Sequence, residues 1–314
     1  MRIVRDYQFA APEDRAASVA IGNFDGVHLG HQAVLELARD WATNHSKPLG
    51  ILTFEPHPRE FFLPDARPFR LMAASTRAHR LEKLGVEVLF ELHFSRALSD
   101  MTAAEFAEKV LARGLDLSHL VVGRDFRFGK DRAGDADTLQ ELGAKLGFEV
   151  TIADLIQSDR REVSSTNIRA ALDEGRPRDA AAMLGHWHRI EGTVVHGDAR
   201  GRELGYPTAN MALKGLHLPA FGVYAVKVDV LTGSHAGSYL GASSLGVRPQ
   251  FDGEVPNLET FIFDFNGDLY GSDLSVGLVE FLRPEAKFDS IEALITQMES
   301  DCVSARGILA EVEA

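Results

Sequence analysis

Two histidines lie three residues apart in a glycine-rich stretch, IGNFDGVHLGHQAVLELA, where a strand-like run passes into a helical pattern. They are His28 and His31, and Gly22, Gly26 and Gly30 lie around them. Glycines let a phosphate approach the backbone, and a helix N-terminus offers unpaired N–H groups with a partial positive charge. Imidazoles placed there can donate hydrogen bonds to phosphate oxygens and stabilise charge that grows in a phosphoryl-type transition state. A surface turn with incidental histidines is the alternative interpretation.

A second glycine-rich stretch, HGDARGRELGYPTANM, has residues suited to both phosphate and metal. Gly197, Gly201 and Gly205 make a flexible loop whose backbone amides could wrap phosphates. Thr208 and Asn210 follow, and they present a hydroxyl and an amide oxygen, which are hard ligands suited to Mg²⁺ carried by ATP. A glycine-rich hairpin between strands is the alternative interpretation.

Two shorter segments carry further candidate ligand-binding residues. In SSTNIR, Ser165, Thr166 and Arg169 open a predicted helix, and a guanidinium can bind two phosphate oxygens at once. The same residues also suit an ordinary helix N-cap. In GRDFRFGKDRAGD, Phe126 and Phe128 could line a ring-binding pocket, although aromatic residues are more often part of a core.

The first half of the chain has the alternating pattern of an α/β domain. Short β-rich runs at 18–21, 50–54, 86–92, 119–122 and 149–152 alternate with helix-like runs at 31–43, 77–84, 102–113 and 136–146. This spacing predicts βαβ units and a parallel sheet with helices on both faces. Ligands of such a sheet bind beyond the C-terminal ends of the strands, which is where the two histidines follow the first predicted strand.

The second half has a different pattern. Two helical pieces at 167–174 and 177–184 come first, and strands and turns without a long helical run follow them. These strands predict a small antiparallel barrel or sandwich, and the tail at 290–312 returns to helical spacing and should pack back on it. We therefore expect one domain over 1–185 and a second over 186–314.

The bulk composition excludes several classes of protein. A length of 314 residues and 45% apolar residues suit about two globular domains. The net charge of −13 argues against a general nucleic-acid binder. No signal peptide or membrane-length apolar run is visible, so no membrane association is expected. The single cysteine, Cys302, excludes an internal disulfide and fits a cytoplasmic protein.

Taken together, the motifs resemble one family. The run around the two histidines resembles the [HT]-x-G-H signature of the Rossmann-like nucleotidyltransferases, and its extended form resembles the bacterial bifunctional riboflavin kinase/FAD synthetases. TFEPHP, GRDFRFGKDRAGD, SSTNIR, GYPTAN and LETFIFDFNGDLYG follow in the family's order, so the resemblance covers about residues 15–302. It implies an N-terminal Rossmann-like nucleotidyltransferase domain and a C-terminal riboflavin kinase barrel with a C-terminal helix.

For the N-terminal domain, the resemblance implies an FMN adenylyltransferase that makes FAD from FMN and ATP and releases pyrophosphate. His28 and His31 would be catalytic. The family's nucleotide phosphates would contact Gly22, Asn23, Phe24, Asp25, Gly26, Gly30, Ser165, Thr166 and Arg169. Flavin contacts are expected at Asp125, Phe126 and Phe128.

For the C-terminal domain, the resemblance implies a kinase that converts riboflavin and ATP into FMN and ADP. Glu259 would be the general base, with Mg²⁺ on Thr208 and Asn210 and phosphates at Gly197, Gly201 and Gly205. Arg283 would help to close the flavin pocket. The chain departs from the usual family pattern at Ser244, Gln250, Thr260 and Phe261, and none of these departures removes a proposed catalytic group.

Two other functions remain open at this point. One is a nucleotidyltransferase for another phosphorylated acceptor, such as phosphopantetheine or glycerol phosphate, although such enzymes need no kinase barrel. The other is a flavin sensor or carrier without turnover, which loss of Glu259, Thr208 or His28 would have favoured.

Overall fold

The computed structural model describes residues 1–154, 157–158, 161–196, 205–213, 215–250 and 253–313. The chain divides into two compact units, Met1–Arg67 with Ala74–Val163 and Pro68–Ala73 with Ser164–Ala314. Packing therefore divides the chain at Val163, whereas the sequence predicts that its two functions divide between residues 185 and 186. The functional boundary stays a prediction, because packing does not test where an activity begins.

The first unit is built on a six-stranded parallel sheet in the order β1-β4-β3-β2-β5-β8. The strands of this sheet are β1 Arg2–Val4, β2 Ser18–Ile21, β3 Leu49–Glu55, β4 Val88–His93, β5 His119–Gly123 and β8 Glu149–Ala153. Two small antiparallel pairs lie outside it, β6 Arg127–Phe128 with β7 Gly134–Asp135 and β9 Gln157–Ser158 with β10 Arg161–Glu162. The four residues of β2 are all buried. Such continuous burial is typical of strands that are covered on both faces of a sheet. The five strands predicted for this half of the chain are confirmed.

The helices of the first unit are α1 Leu29–His45, α2 Pro58–Phe62, α3 Ala74–Lys83, α4 Arg96–Ser99, α5 Ala103–Glu105 and α6 Ala136–Leu146, with short 3₁₀ turns at Tyr7–Phe9, Pro12–Asp14 and Lys130–Arg132. Side-chain caps begin most of these helices, namely α1, α2, α4, α5 and α6. At α5, Thr102 Oγ1 accepts from the Glu105 N–H, and the Glu105 carboxylate accepts from the Thr102 N–H. These two reciprocal hydrogen bonds form a capping box, which fixes the start of the helix. The chain then continues as a π-helix, Phe106–Ala112, where the sequence predicts only a helix.

The second unit contains a six-stranded antiparallel sheet in the order β11-β16-β13-β14-β15-β12. The elements, in chain order, are α7 Ser165–Asp173, α8 Pro177–Leu184, β11 His188–Thr193, β12 Ala209–Ala212, β13 Gly222–Val230, β14 Gly237–Gln250, β15 Gly253–Ile262, β16 Asp273–Pro284 and α9 Ile291–Glu313. A bridge between Val195 and Asn210 brings the two edges of the sheet together. The sheet is therefore a nearly closed barrel.

Alternating side chains fill the barrel and support its outer helix. Tyr224, Val226 and Val228 of β13 are fully buried in the barrel's core cluster. Ala225, between them, belongs to a separate cluster with Leu309 of α9. The alternation is the period of two that a strand imposes. It confirms the predicted barrel with a C-terminal helix packed against it.

Candidate active sites

The loop over residues 22–27 joins the end of β2 to the start of α1. In the sheet, β2 lies between β3 and β5, and the chain continues from it to β3 on one side before returning to β5 on the other. This reversal of strand order is the place where open parallel sheets bind ligands, beyond the C-terminal ends of the strands.

The backbone of this loop takes an uncommon path. Phe24 has φ 51° and Val27 has φ 46°, with Gly26 at φ 90° between them. A positive φ is uncommon for any residue with a side chain and is an outlier for a β-branched one such as Val27. The loop is pinned by the Gln32 side-chain amide, which donates to the Val27 carbonyl at 2.9 Å. Backbone strain of this kind is concentrated at ligand-binding and catalytic sites.

His28 is the N-cap of α1. Its Nδ1 accepts the backbone N–H of His31 at 3.3 Å, so the proton of the neutral ring is on Nε2. The imidazole rings of His28 and His31 stack with centroids 3.6 Å apart and planes at 18°. A Cβ on Gly30 would lie 3.1 Å from two atoms of the His28 ring, which explains a glycine inside the first turn.

The Nδ1 atom of His31 is buried and has no hydrogen-bond partner among the described atoms, although the residue as a whole is partly exposed. Burial holds the pKa of the His31 imidazole well below its usual range, and the neighbouring His28 lowers this pKa further. The ring is therefore neutral at neutral pH. An unpaired polar atom in a buried place costs free energy until a ligand or water pairs with it, so this nitrogen fits a site that a polar ligand completes.

The other predicted residues of this loop differ in exposure. Asn23 is exposed, whereas Phe24 and Asp25 are buried. The Asn23 carbonyl accepts hydrogen bonds from Thr53 Oγ1 and from Arg77 Nη1, each at 3.3 Å. Sequence reasoning did not single out Arg77, because an arginine on a predicted helix usually reads as part of its exposed face.

The predicted flavin residues of the first unit lie in a different loop. Asp125 is exposed. The rings of Phe126 and Phe128 stack 5.6 Å apart, and Phe128 is buried against Phe106 in the core of the unit. Phe126 is only partly buried on the same cluster. The role of these residues in flavin binding stays a prediction.

The SSTNIR segment forms the start of α7 in the second compact unit. Ser164, one residue before the predicted pair, is the N-cap and accepts the Asn167 N–H at 3.3 Å. Thr166 is exposed. Arg169 donates from Nη1 to the Phe69 carbonyl at 3.1 Å, and its guanidinium lies 5.7 Å from the Phe69 ring centroid. Phosphate binding by Ser165, Thr166 and Arg169 stays a prediction.

On the barrel, the structure brings Thr208, Asn210 and Glu259 together. Asn210 of β12 lies directly opposite Glu259 of β15, and Thr208 Oγ1 donates to Glu259 Oε2 at 3.5 Å. The Asn210 side-chain amide donates to the Thr208 carbonyl at 3.1 Å. Hydroxyl, amide and carboxylate oxygens form the hard donor set that a divalent cation such as Mg²⁺ requires, so these residues fit the expected metal.

Asn257 is a polar residue of this site that sequence reasoning did not find. Its Nδ2 donates to Asn210 Oδ1 at 3.2 Å, and both side chains are buried. Asn257 lies two residues before Glu259 and so shares its face of β15. A polar residue at a position where the strand pattern calls for burial is the signal that could have revealed it.

The remaining predictions for the barrel have mixed placements. Gly197 and Gly201 lie outside the described residues, while Gly205 is exposed with φ 85°. Arg283 makes a bidentate ion pair with Asp301 of α9, in which guanidinium nitrogens lie 2.7 to 3.0 Å from the carboxylate oxygens. This pair ties β16 to α9, and a flavin contact from Arg283 stays a prediction.

Comparison with known proteins gives consistent matches. A family model described as FAD synthetase matches residues 10–167, and one described as riboflavin kinase matches residues 184–309. A bifunctional riboflavin kinase/FMN adenylyltransferase of Pseudomonas fluorescens is 42% identical over 99% of this chain and 98% of its own length. Proteins of the same description from Listeria monocytogenes and Escherichia coli K12 are 37% and 35% identical, over 94% and 98% of this chain and 93% and 97% of theirs.

A solved structure supports the same architecture. The crystal structure of a Streptococcus pneumoniae protein described as a macrolide-efflux protein superposes with a TM-score of 0.82 at 33% identity, covering 95% of this chain and 96% of that one. In the described part of the present chain, no helix is long and apolar enough to cross a bilayer.

Proposed function

Because the chain belongs to the family of bifunctional riboflavin kinase/FMN adenylyltransferases, we propose which of its residues carry out each of the two reactions. The chain phosphorylates riboflavin to FMN and adenylylates FMN to FAD. Both reactions take ATP, generally with a divalent metal.

For adenylyl transfer, the FMN phosphate attacks the α-phosphorus of ATP, and pyrophosphate leaves. His28 donates from Nε2, and His31 from its ring, to the phosphate oxygens on which charge grows. The backbone of Gly22, Asn23, Phe24, Asp25, Gly26 and Gly30 lines the same phosphates. The stacked imidazoles at the first turn of α1 and the unpaired Nδ1 of His31 support this assignment. No covalent intermediate is required, because positioning and charge stabilisation suffice for phosphoryl chemistry.

For phosphorylation, the riboflavin 5′-hydroxyl attacks the γ-phosphorus of ATP, and ADP leaves. Glu259 takes the hydroxyl proton as the new O–P bond forms. Thr208 and Asn210 would hold Mg²⁺, which would neutralise phosphate charge when bound. The Thr208–Glu259 contact supports this role because it places the metal-side hydroxyl and the base on one small surface.

Further roles follow from the family resemblance. Gly197, Gly201 and Gly205 surround the phosphates of the kinase ATP, and Ser165, Thr166 and Arg169 contact those of the transferase. Asp125, Phe126, Phe128 and Arg283 bind flavin. The two activities divide between residues 185 and 186. The protein works in the cytoplasm without nucleic-acid or membrane partners, which its acidic charge and single free cysteine support.

The observation that carries the assignment is the pair of separate constellations, one in each compact unit. It is tested by a chromatographic time course of the purified chain with riboflavin, ATP and Mg²⁺. We expect FMN to appear first and FAD to follow. Accumulation of FMN alone would remove the role given to His28 and His31, and flavin binding without conversion would point instead to a carrier.

A further inference from the structure

A buried charge cluster lies behind the histidine loop. Arg77 of α3 has a side chain only 4% exposed, and its Nη2 donates to Glu55 at 3.2 Å and to Glu91 at 3.0 Å. Glu55 ends β3, and Glu91 lies in β4 with its side chain 7% exposed. Arg5 lies further out, 3.4 Å from the other oxygen of Glu91. The two carboxylates therefore fix the guanidinium to neighbouring strands of the sheet.

The same guanidinium holds the loop. While Nη2 contacts the carboxylates, Nη1 donates to the Asn23 carbonyl, which also accepts from Thr53 Oγ1. Because the guanidinium is planar and rigid, the position of Nη1 is set once the carboxylates have fixed Nη2. The Asn23 carbonyl is thus tied to β3 through Thr53 and to β3 and β4 through Arg77.

The Asn23 carbonyl, which Arg77 and Thr53 hold, comes immediately before the strained part of the loop. Phe24, the next residue, has φ 51°, and Val27, directly before His28, has φ 46°. Such conformations persist only where the surrounding structure over-determines them. Gln32 holds the Val27 carbonyl, and the Asn23 carbonyl is a further point at which side chains pin this loop.

We propose that Arg77 is a positioning residue for adenylyl transfer. It touches neither flavin nor ATP; it holds the Asn23 carbonyl so that the 22–28 loop presents the two stacked histidines to the phosphates. The inference rests on the role proposed above for His28 and His31. It also explains why an arginine is required, because a lysine ammonium is a single point that cannot satisfy two carboxylates and a carbonyl in one plane.

The test compares Arg77→Gln and Arg77→Lys in the full-length chain, with both activities measured on each preparation. For Arg77→Gln we expect kcat for FMN adenylylation to fall about 100-fold, as misplacing catalytic groups by about 1 Å does. For Arg77→Lys, which keeps the charge beside the carboxylates, we expect a fall of about 10-fold. The KM for ATP should change by less than about 3-fold, because the loss is one of geometry in the transition state.

Riboflavin phosphorylation by the same molecules is the control for the amount of intact protein and should be unchanged, while the nearly unchanged KM for ATP in adenylylation is the control for folding of the first unit. Arg39→Gln is the matched variant, since Arg39 of α1 also donates to a backbone carbonyl, that of Leu84, away from the loop. It should leave both activities intact. Thr53→Val removes the other donor to the Asn23 carbonyl and should lower adenylylation in the same direction but less.

A triple variant separates positioning from charge balance. Arg77→Gln takes the guanidinium away from two carboxylates, so Glu55→Gln and Glu91→Gln are added to remove the negative charges that faced it. If adenylylation stays low in the triple variant while kinase activity is normal, the loop anchor is what was lost. Recovery of adenylylation, or normal adenylylation in Arg77→Gln itself, overturns the proposal. Failure of the histidine assignment is distinguishable, because His28→Ala would then retain adenylylation.

Discussion

In the proposed mechanism, the two candidate sites use opposite kinds of protein group for their phosphate-bearing substrates. In the parallel-sheet unit, the site is a strained loop and a helix start, with backbone N–H groups and two imidazoles. In the barrel, the site lies on two paired strands, where Asn210 opposes Glu259. Helix starts leave N–H groups unpaired and attract anions directly. Paired strands satisfy their backbone groups, so the two strands of the barrel site offer side-chain oxygens, which attract an anion only through a cation.

The comparison predicts that the largest single loss comes from the base on the barrel. For Glu259→Ala we expect riboflavin phosphorylation to fall by about 10² to 10⁴, the usual contribution of a general base. FAD formation from supplied FMN should continue at the normal rate, because it belongs to the other unit. Glu259→Gln keeps the side chain's size and should lose nearly as much. Initial rates of FMN formation check this, and an active Glu259→Gln would remove the base from the mechanism.

The next loss concerns the histidine pair. His28→Ala removes both a hydrogen-bond donor to the phosphates and the N-cap of α1, and FAD formation should fall by about 10² to 10³. FMN formation from riboflavin should be unaffected. Separate assays of the two steps on one preparation give the result. Loss of both activities in a folded protein would contradict the division into two sites.

A smaller change sharpens the same point. Gly30→Ala places a Cβ 3.1 Å from the His28 ring, so the imidazole must shift by a few tenths of an ångström. We expect FAD formation to fall by about 10-fold, because near-attack geometry is sensitive to such shifts. Gly307→Ala is the matched control, since its added Cβ in α9 meets nothing within 4 Å beyond the neighbouring backbone of its own helix. It should leave both activities intact, and an equal effect of the two substitutions would refute the geometric argument.

The last expected effect is on stability in acid, and the two units share its cause. Each has a fully buried neutral histidine: burial lowers the pKa of His119 to about 4 and that of His188 to about 3. Below a pH of about 6.5 these two imidazoles bind protons in the unfolded chain but stay neutral in the folded one. The free energy of unfolding therefore falls as the pH drops. For His119 the loss approaches about 3 kcal/mol near pH 4.

Urea unfolding between pH 8 and pH 4 measures this loss. His119→Gln should flatten the pH dependence of the first unit, although it is less stable at pH 8 because the hydrogen bonds to Ser18 and Thr151 are gone. His45→Gln, at an exposed position, is the control. If His119→Gln and the wild type lose stability equally as the pH falls, the His119 ring of the wild type takes up a proton in the folded protein as readily as in the unfolded one.

The sequence predicts most of the fold because local patterns carry it. The strand at 18–21 has the predicted bounds, and the helical run predicted from residue 102 begins with a capping box at Thr102. β1 was missed because Arg2–Val4 is too short to show a pattern. The π-helix after α5 was missed because its change of hydrogen bonding leaves no mark in composition.

The sites are only partly predictable. The histidine run and Thr208 with Asn210 are local motifs, so their residues are found in the sequence. Arg77 and Asn257 act through partners distant in the chain, and a lone polar residue in a helix or strand gives no sign of such a partner. The family resemblance indicates Glu259, but its pairing with β12 is a matter of register that the sequence alone does not specify.

The most direct test of two independent sites is to mix two full-length variants, each of which lacks one of the two activities. Riboflavin, ATP and Mg²⁺ are supplied to His28→Ala alone, to Glu259→Ala alone and to an equal mixture, and the products are followed by chromatography. The account predicts FMN only from the first, almost no product from the second, and FAD from the mixture, because FMN made by one chain is adenylylated by the other. A mixture that stops at FMN would contradict it, provided that Glu259→Ala converts added FMN to FAD.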